Sequence, residues 1–281
     1  MINLVEVIKK VCAIHDMSGI GRSSLAVALP IISTLGVQCC PFPTAILSCQ
    51  TNYKEFSFLD LTKEMVNYKN VLERMNIEFD CIYSGFLGSE DQISIVIDFL
   101  KKNKNALIMV DPVMGDNGVI YDTYTNNLCN EIKKLVTYAD IVTPNVTESF
   151  ILTGQEYCKE NINLEFLKTL ARDISNMGPS KVVITGIVID DYIYNLGYNK
   201  EKDEVFTVKT KHVEKYYCGT GDIFASIVCG MIVKGFDFKF TVKKASEFVY
   251  KTIEYTSQFD TDPNEGVMFE LFLRDLILIN E

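Results

Sequence analysis

Four segments carry residue types that could do chemistry together. The first is Gly219-Thr-Gly-Asp222, which runs directly into the apolar stretch Ile223 to Val233. Two glycines let successive backbone N–H groups converge, and a helix starting there adds partial positive charge. Such a segment makes an anion hole suited to a transferring phosphoryl group. Asp222 is then either a carboxylate standing at that hole or merely the helix N-cap, and the local sequence leaves both open. The second and third segments are Asp111-Pro-Val-Met-Gly-Asp116 and Asn145-Val-Thr-Glu148, each following an apolar run. Taken singly, each carboxylate reads as a cap or turn residue. Taken with the 219–222 segment, Asp111, Asp116, Asn145 and Glu148 suit Mg²⁺, which takes oxygen ligands, keeps several waters and bridges to substrate phosphates. The fourth segment, Gly19-Ile-Gly-Arg-Ser-Ser24, approximates the dinucleotide fingerprint G-x-G-x-x-G with serine in the last slot. The acidic residue that should close the next strand is missing from Val37-Gln-Cys-Cys-Pro41. The segment therefore reads as a tight glycine turn or a substrate-contacting loop. No G-x-x-x-x-G-K-[ST] occurs, which excludes a P-loop.

The elements that must position these residues alternate strand, loop and helix. Val11 to His15 reads as a strand entering the loop Asp16 to Arg22. A helix capped by Ser23 or Ser24 follows and ends near Gly36, with Pro30 expected to kink it. Val37 to Cys40 and Thr44 to Leu47 read as extended, and Leu61 to Met75 as an amphipathic helix. Cys81 to Ser84 is a strand, Gly85 to Ser89 a loop, and Glu90 to Lys102 a helix with Ile93, Val96, Ile97 and Leu100 on one face. Ala106 to Val110 is a strand stopping at Asp111-Pro112, Thr125 to Tyr138 a helix, and Ile141 to Thr143 a strand stopping at Pro144-Asn145. Val182 to Thr185 is a strand. Polar turns at Asp190-Asp191 and Asn199 to Asp203 predict antiparallel hairpins late in the sheet. Asp222 to Lys234 and Phe240 to Gln258 close the series as helices. This alternation predicts an α/β fold in three layers, a mostly parallel central sheet with helices on both faces. With no repeat, low-complexity tract or linker, the 281 residues read as one domain. Ligands of such sheets sit outside the carboxyl ends of the strands. Asp16, Asp111, Asp116, Asn145, Glu148 and Thr185 all fall at or just past a predicted strand end.

Composition narrows the function classes. The chain is 48% hydrophobic and 23% charged, enough apolar material for a large core. Its 27 basic and 37 acidic side chains leave a formal charge of −10, which opposes nucleic-acid binding by broad electrostatics. Nine scattered cysteines without a C-x-x-C pair read as reduced thiols of a cytoplasmic protein. With only His15 and His212 available, a zinc site is not expected. The start, Met1 to Val11, lacks the apolar run of an export signal, and Ile223 to Val233 is too short to span a bilayer.

In order, Asp16-Met-Ser-Gly, Pro43-Thr-Ala-Ile-Leu-Ser48, Ser84-Gly-Phe-Leu-Gly88, Asp111-Pro-Val-Met-Gly-Asp116, Thr143-Pro-Asn-Val-Thr-Glu148, Val182-Val-Ile-Thr185 and Gly219-Thr-Gly-Asp222 resemble the pyridoxal kinase branch of the ribokinase-like superfamily. The resemblance covers about residues 10 to 260. It implies ATP-dependent phosphorylation of the 5′-hydroxymethyl group of vitamin B6 forms, with Mg²⁺ and a monovalent cation such as K⁺, by a homodimer. By this resemblance Asp222 matches the catalytic base and Gly219, Thr220 and Gly221 the anion hole. Asp111 and Glu148 match positions near Mg²⁺ and the ATP phosphates, and Thr185 a nucleotide contact. Asp16, Ser18, Thr44 and Phe86 fall on the vitamer side. Asp16 stands where serine is common and Gln50 where histidine is common, so the departures concern vitamer preference. Asp16 either favours the cationic vitamer pyridoxamine or accepts hydrogen bonds from the ring hydroxyl or from amides of the 18–21 turn. The segment Asp116 to Thr125 reads as a lid. The rivals are a hydroxymethylpyrimidine kinase of the same fold, a sugar or nucleoside kinase, and a ligand-binding protein without catalysis.

Overall fold

The computed structural model describes residues 8–280; the stretch 1–7, part of the segment read above as no export signal, lies outside them. In chain order the elements are β1 (Lys10–Ile20), α1 (Ser24–Thr34), β2 (Gln38–Cys49), β3 (Phe58–Asp60), α2 (Thr62–Arg74), β4 (Cys81–Ser84), α3 (Glu90–Lys102) and β5 (Leu107–Val110). A small hairpin of β6 (Gly115–Asp116) and β7 (Val119–Ile120) follows, then α4 (Asn126–Val136), β8 (Ile141–Val142), α5 (Val146–Thr153) and α6 (Leu164–Met177). The last part holds β9 (Lys181–Ile189), β10 (Tyr192–Asn199), β11 (Glu204–Lys211), α7 (Thr220–Val233), α8 (Phe238–Thr256) and α9 (Leu273–Ile277).

Nine strands form one sheet in the order β11-β10-β9-β8-β5-β4-β1-β2-β3. From β2 to β9 the pairings are parallel; β3, β10 and β11 are antiparallel additions at the two edges. Successive strand side chains point to opposite faces, and here both faces are dry. Cys12, Ile14 and Ile82 join one buried cluster with Met65, Val96, Ile132 and Leu170, from α2, α3, α4 and α6. Val11, Ala13 and Tyr83 join the other, with Leu25, Ile31, Ile227 and Val242 from α1, α7 and α8. This two-sided burial is why the strands read as continuous apolar runs. The chain leaves β1 toward β2 on one side and returns to β4 on the other, so a topological switch point lies between β1 and β4.

The structure lengthens two elements that glycine and proline had cut short. β1 continues through the 16–20 segment, so the glycine turn expected there is strand. A Cβ on Gly19 would sit 2.8 Å from the Ser48 carbonyl oxygen of β2, so the glycine permits close strand approach. β2 runs through Pro41 and Pro43. It is a sheet edge until β3 pairs with Ala45–Leu47, and an edge tolerates residues without an N–H. The register of β1 and β2 shifts between His15 and Met17, placing Asp16 at a bulge. Two helices, α5 and α6, occupy a stretch for which the sequence reading assigned no element. α1 runs on through Pro30.

Helix α7 lies against α1, and the contact is close because position 230 has no side chain. A Cβ on Gly230 would meet Leu35 Cδ1 at 2.6 Å. Gly230→Val should therefore lower the free energy of unfolding by about 1–3 kcal/mol, the usual cost of overpacking, despite its better helix propensity. Urea denaturation of the two proteins measures the difference.

Candidate active site

Two adjoining cavities open at the carboxyl ends of the parallel strands. Their volumes are about 810 and 620 Å³, within the range of small-molecule sites. Asp116, Tyr121, Tyr216, Gly219 and Asp222 line both, so these residues form the wall between them. Asp111, Glu148, Thr185, Thr220 and Gly221 line the larger cavity. Asp16, Ser18 and Phe86 line the smaller. The residues expected to meet a nucleotide and those expected to meet an acceptor thus fall into separate, touching spaces.

Asp222 is at their junction because of how α7 begins. Gly219 is the N-cap, with φ of 76°. A Cβ there would lie 1.7 Å from the Arg22 carbonyl oxygen, so only glycine fits. Asp222 is the third residue of the helix, not its cap, and no side-chain capping bond is made. Its Oδ2 accepts the Ser24 N–H at 3.0 Å. In sequence Ser24 is the last slot of the glycine segment and one of two candidate caps of α1; Ser23 is the N-cap. Ser24 holds φ of 53°, a left-handed conformation that a non-glycine residue adopts at a cost and that is often found at functional sites. Its hydroxyl donates to Asp16 Oδ1 at 2.5 Å, while Ser18 donates to Asp16 Oδ2 at 2.9 Å. Ser24 thus links the two carboxylates. The donors on Asp16 are thus serine hydroxyls, where the sequence suggested turn amides or a ring hydroxyl.

Thr44 lines neither cavity. It is fully buried; its hydroxyl donates to the Phe86 carbonyl at 3.3 Å, and its own carbonyl accepts from Gln92 Nε2 at 3.0 Å. Its part is to hold the backbone of Phe86, whose ring packs edge-on to Tyr124 at 6.0 Å. Asn145 also departs from expectation. Its Oδ1 accepts the Glu148 N–H and its Nδ2 donates to the Gly115 carbonyl, so the side chain caps α5 and pins the β6–β7 hairpin. It therefore has a structural role beside the metal role that the sequence suggests for it. The hairpin forms the start of the expected lid, turning at Asn117 and Gly118, both with positive φ.

The carboxylates that remain are held apart from any basic partner. Glu148 accepts the Met114 N–H at 3.0 Å and the Asn145 N–H at 2.8 Å. Asp111 accepts the Thr143 hydroxyl at 3.0 Å. No ion pair joins Asp16, Asp111, Asp116, Glu148 or Asp222 to a described Lys, Arg or His. Burial pushes Asp111 up to about 7. Burial, then repulsion from Asp111, pushes Asp222 up to about 7. Burial and then Asp111 raise Glu148 well above its ordinary value, and burial raises Asp116. Burial also raises Asp16, opposed by its two serine hydroxyls. A donor set of unpaired carboxylates fits a hard divalent cation. Among the described residues no three His, Cys, Asp or Glu side chains converge closely enough to cage an ion alone.

The family model described as phosphomethylpyrimidine kinase matches residues 28–266. The chain belongs to the phosphomethylpyrimidine kinase family. Within the ribokinase-like superfamily it falls in the pyridoxal kinase branch. Pyridoxal kinase of Arabidopsis thaliana is 29% identical over 252 residues, 85% of this chain and 78% of its own. The crystal structure of a candidate phosphomethylpyrimidine kinase from Bacteroides thetaiotaomicron, obtained with pyridoxal, is 39% identical with a TM-score of 0.92, covering 96% of each chain. Pyridoxal kinase from Lactobacillus plantarum is 25% identical with a TM-score of 0.90, covering 97% of this chain and 98% of its own. The expected three-layer, mostly parallel α/β fold is the one this kinase family adopts.

The raised carboxylates make a prediction about stability. Asp111 keeps its proton to about pH 7 when folded but loses it near 4 when unfolded, so between those values the folded state binds more protons. Its contribution therefore falls as pH rises from ~4 to ~7 and stays unfavourable above. Asp111→Asn should stabilise the fold at pH 8 by on the order of 1–3 kcal/mol, and the gain should vanish near pH 4. Thermal unfolding of both proteins across this range checks it.

Proposed function

We propose that the protein transfers the γ-phosphoryl group of ATP to the 5′-hydroxymethyl group of vitamin B6 forms, pyridoxal, pyridoxamine and pyridoxine, giving their 5′-phosphates. The observation that carries this reading is the position of Asp222 on the wall between two cavities, beside the glycine-framed start of α7. ATP occupies the larger cavity, with its transferring group at the 219–221 amides and Thr185 near the nucleotide. The vitamer occupies the smaller, its ring beside Phe86 and its primary alcohol at Asp222. The pyridoxal bound to the 39%-identical relative supports this acceptor. Hydroxymethylpyrimidine, a flat ring with the same primary alcohol, is the alternative acceptor, supported by the 26%-identical hydroxymethylpyrimidine/phosphomethylpyrimidine kinase of Staphylococcus aureus.

The chemistry follows from the geometry. The Ser24 N–H fixes Asp222 Oδ2, and Oδ1 has no hydrogen-bond partner among the described residues. Oδ1 orients the acceptor hydroxyl and takes its proton as the alcohol oxygen bonds to the γ-phosphorus and the bridge to ADP breaks. A base raised to about 7 is better matched to neutral pH than an ordinary aspartate. Phosphoryl transfer is loose, so the gain comes from alignment and from N–H groups facing the equatorial oxygens. Asp111, Asp116 and Glu148 would hold Mg²⁺, which would neutralise phosphate charge when bound. The monovalent cation rests on the resemblance alone. A homodimer is supported by the exposed apolar patch at the β3 edge, where Phe58 and Leu59 are 47% and 58% exposed beside Ile46 at 47%. The nine unpaired cysteines are consistent with a cytoplasmic protein. Among the described residues no helix is long and apolar enough to cross a membrane.

Asp222→Asn should lower kcat by about 10²–10⁴ with little change in the KM for ATP, and should remove the rise of kcat/KM with pH through ~7. Steady-state kinetics from pH 5.5 to 8.5 decide it; a variant with near wild-type kcat contradicts the assignment. For the dimer, sedimentation should give twice the chain mass for the wild type and the single-chain mass for Leu59→Asp.

A further inference from the structure

The β6–β7 hairpin is too small to hold its own place. It has two residue pairs, Gly115 with Ile120 and Asp116 with Val119, joined by the turn Asn117-Gly118. An isolated hairpin of this kind is at best marginally stable in water. Its place is set from outside, by the first turn of α5. Asn145 and Glu148 form a reciprocal capping box there, and each has one polar atom left over. Asn145 Nδ2 donates to the Gly115 carbonyl at 2.7 Å, and Glu148 Oε1 accepts the Met114 N–H at 3.0 Å. These bonds hold the entry of the hairpin. The tip is held separately. Neither turn residue spends its N–H in the ladder: the Asn117 N–H goes to Asp116 Oδ1, and the Gly118 N–H to Thr147 Oγ1 at 2.8 Å. Thr147 is buried, and the Tyr157 ring lies against the same glycine, where a Cβ would meet its Cε1 at 2.6 Å.

The two sides of this hold belong to different cavities. Thr147 and Tyr157 line only the larger one, whereas Val119 and Ile120, the strand that leaves the turn, line only the smaller one. Resting on the kinase reading above, we propose that Thr147 is a positioning residue for the acceptor: from the nucleotide side it holds the tip of the hairpin and so fixes one wall of the acceptor cavity. Valine in its place keeps the shape of the side chain and removes the accepting oxygen. The Gly118 N–H, half-buried, must then turn to water, and the tip moves with it. A single hydrogen bond of this kind is worth a factor of about 3–10 in an equilibrium constant. Loosening the wall costs the acceptor that factor and leaves ATP, on the other side of α5's contacts, nearly unaffected. A direct role of Thr147 at the nucleotide would do the reverse.

The test uses the full chain as wild type, Thr147→Val, Thr147→Ala and Thr147→Ser. Initial rates are measured with ATP and Mg²⁺ for whichever of pyridoxal, pyridoxamine, pyridoxine and hydroxymethylpyrimidine the wild type consumes. Backbone hydrogen exchange of residues 114–121 is followed without ligands by mass spectrometry. Thr147→Val should raise the KM for the acceptor about 3–10-fold, with kcat and the KM for ATP changed less than about twofold. Exchange at residues 114–121 should quicken by a similar factor. Thr147→Ala also lacks the oxygen and should match Thr147→Val; Thr147→Ser keeps it and should match the wild type. A fall in kcat with the acceptor KM unchanged is what a merely structural role gives, and it would overturn the proposal. A rise in the KM for ATP without one for the acceptor would overturn it too, as would unchanged exchange or equal losses in the valine and serine variants. In each of these cases the wild type still phosphorylates an alcohol, so the kinase reading stands. A wild-type chain that consumes none of the four alcohols would overturn both.

Discussion

Everything in the site depends on one close backbone approach, between the segment that enters α1 and the segment that enters α7. The Arg22 carbonyl lies where a Cβ of residue 219 would be, so glycine at 219 is obligatory and the two chains touch. The Arg22 N–H donates to the Glu265 carbonyl at 3.2 Å, which brings a third segment against the same point. A Cβ on Gly266 would meet Arg22 Cβ at 2.9 Å and the Cys218 carbonyl oxygen at 3.0 Å. Two residues beyond Arg22, the Ser24 N–H reaches Asp222. Residues 198 positions apart are thereby held to a single hydrogen-bond length. The packing of α1 on α7 through Gly230 and Leu35 supports this contact from below, on the buried face of the sheet.

That contact holds a set of groups that disfavours the fold. Asp111, Glu148 and Asp222 sit near one another without basic partners, and each is pushed toward its neutral form. Removing charge from such groups relieves the folded protein, whereas their ionised forms would serve the proposed reaction. The left-handed Ser24 adds backbone strain at the same place. Two large buried clusters, one on each face of the sheet, offset these costs. The site is thus an expensive arrangement on a well-packed scaffold, which is the usual relation of a charged site to its core.

The sheet order of function was legible in the sequence because strand ends carry their own punctuation. Asp111-Pro112, Pro144-Asn145 and Gly219-Thr-Gly221 stop or start elements, and Asp111, Asn145, Gly219, Thr220 and Gly221 line the larger cavity. The late hairpins were legible from their polar turns. What was not legible depends on distant partners. The hold of Asn145 on the Gly115 carbonyl joins residues 30 positions apart and has no local mark. Thr44 reads like a pocket residue until Phe86 is found on its hydroxyl. Ser24 reads locally as a cap or the end of a glycine segment, and its bonds to Asp16 and Asp222 appear only in the fold. α6 is a different case: Leu167, Leu170, Ala171 and Ile174 recur at helical spacing and are all buried, so the signal was present.

The central claim is that the γ-phosphoryl group of ATP passes to the primary alcohol of a B6 vitamer rather than to water. The most direct measurement uses [γ-¹⁸O]ATP and pyridoxine with the wild-type chain, following the product by mass spectrometry and ³¹P NMR. The account predicts one 5′-phosphate ester per ADP, three labelled oxygens in the ester, and the alcohol's own unlabelled oxygen as the bridge. ADP formed with labelled inorganic phosphate and no ester would contradict it.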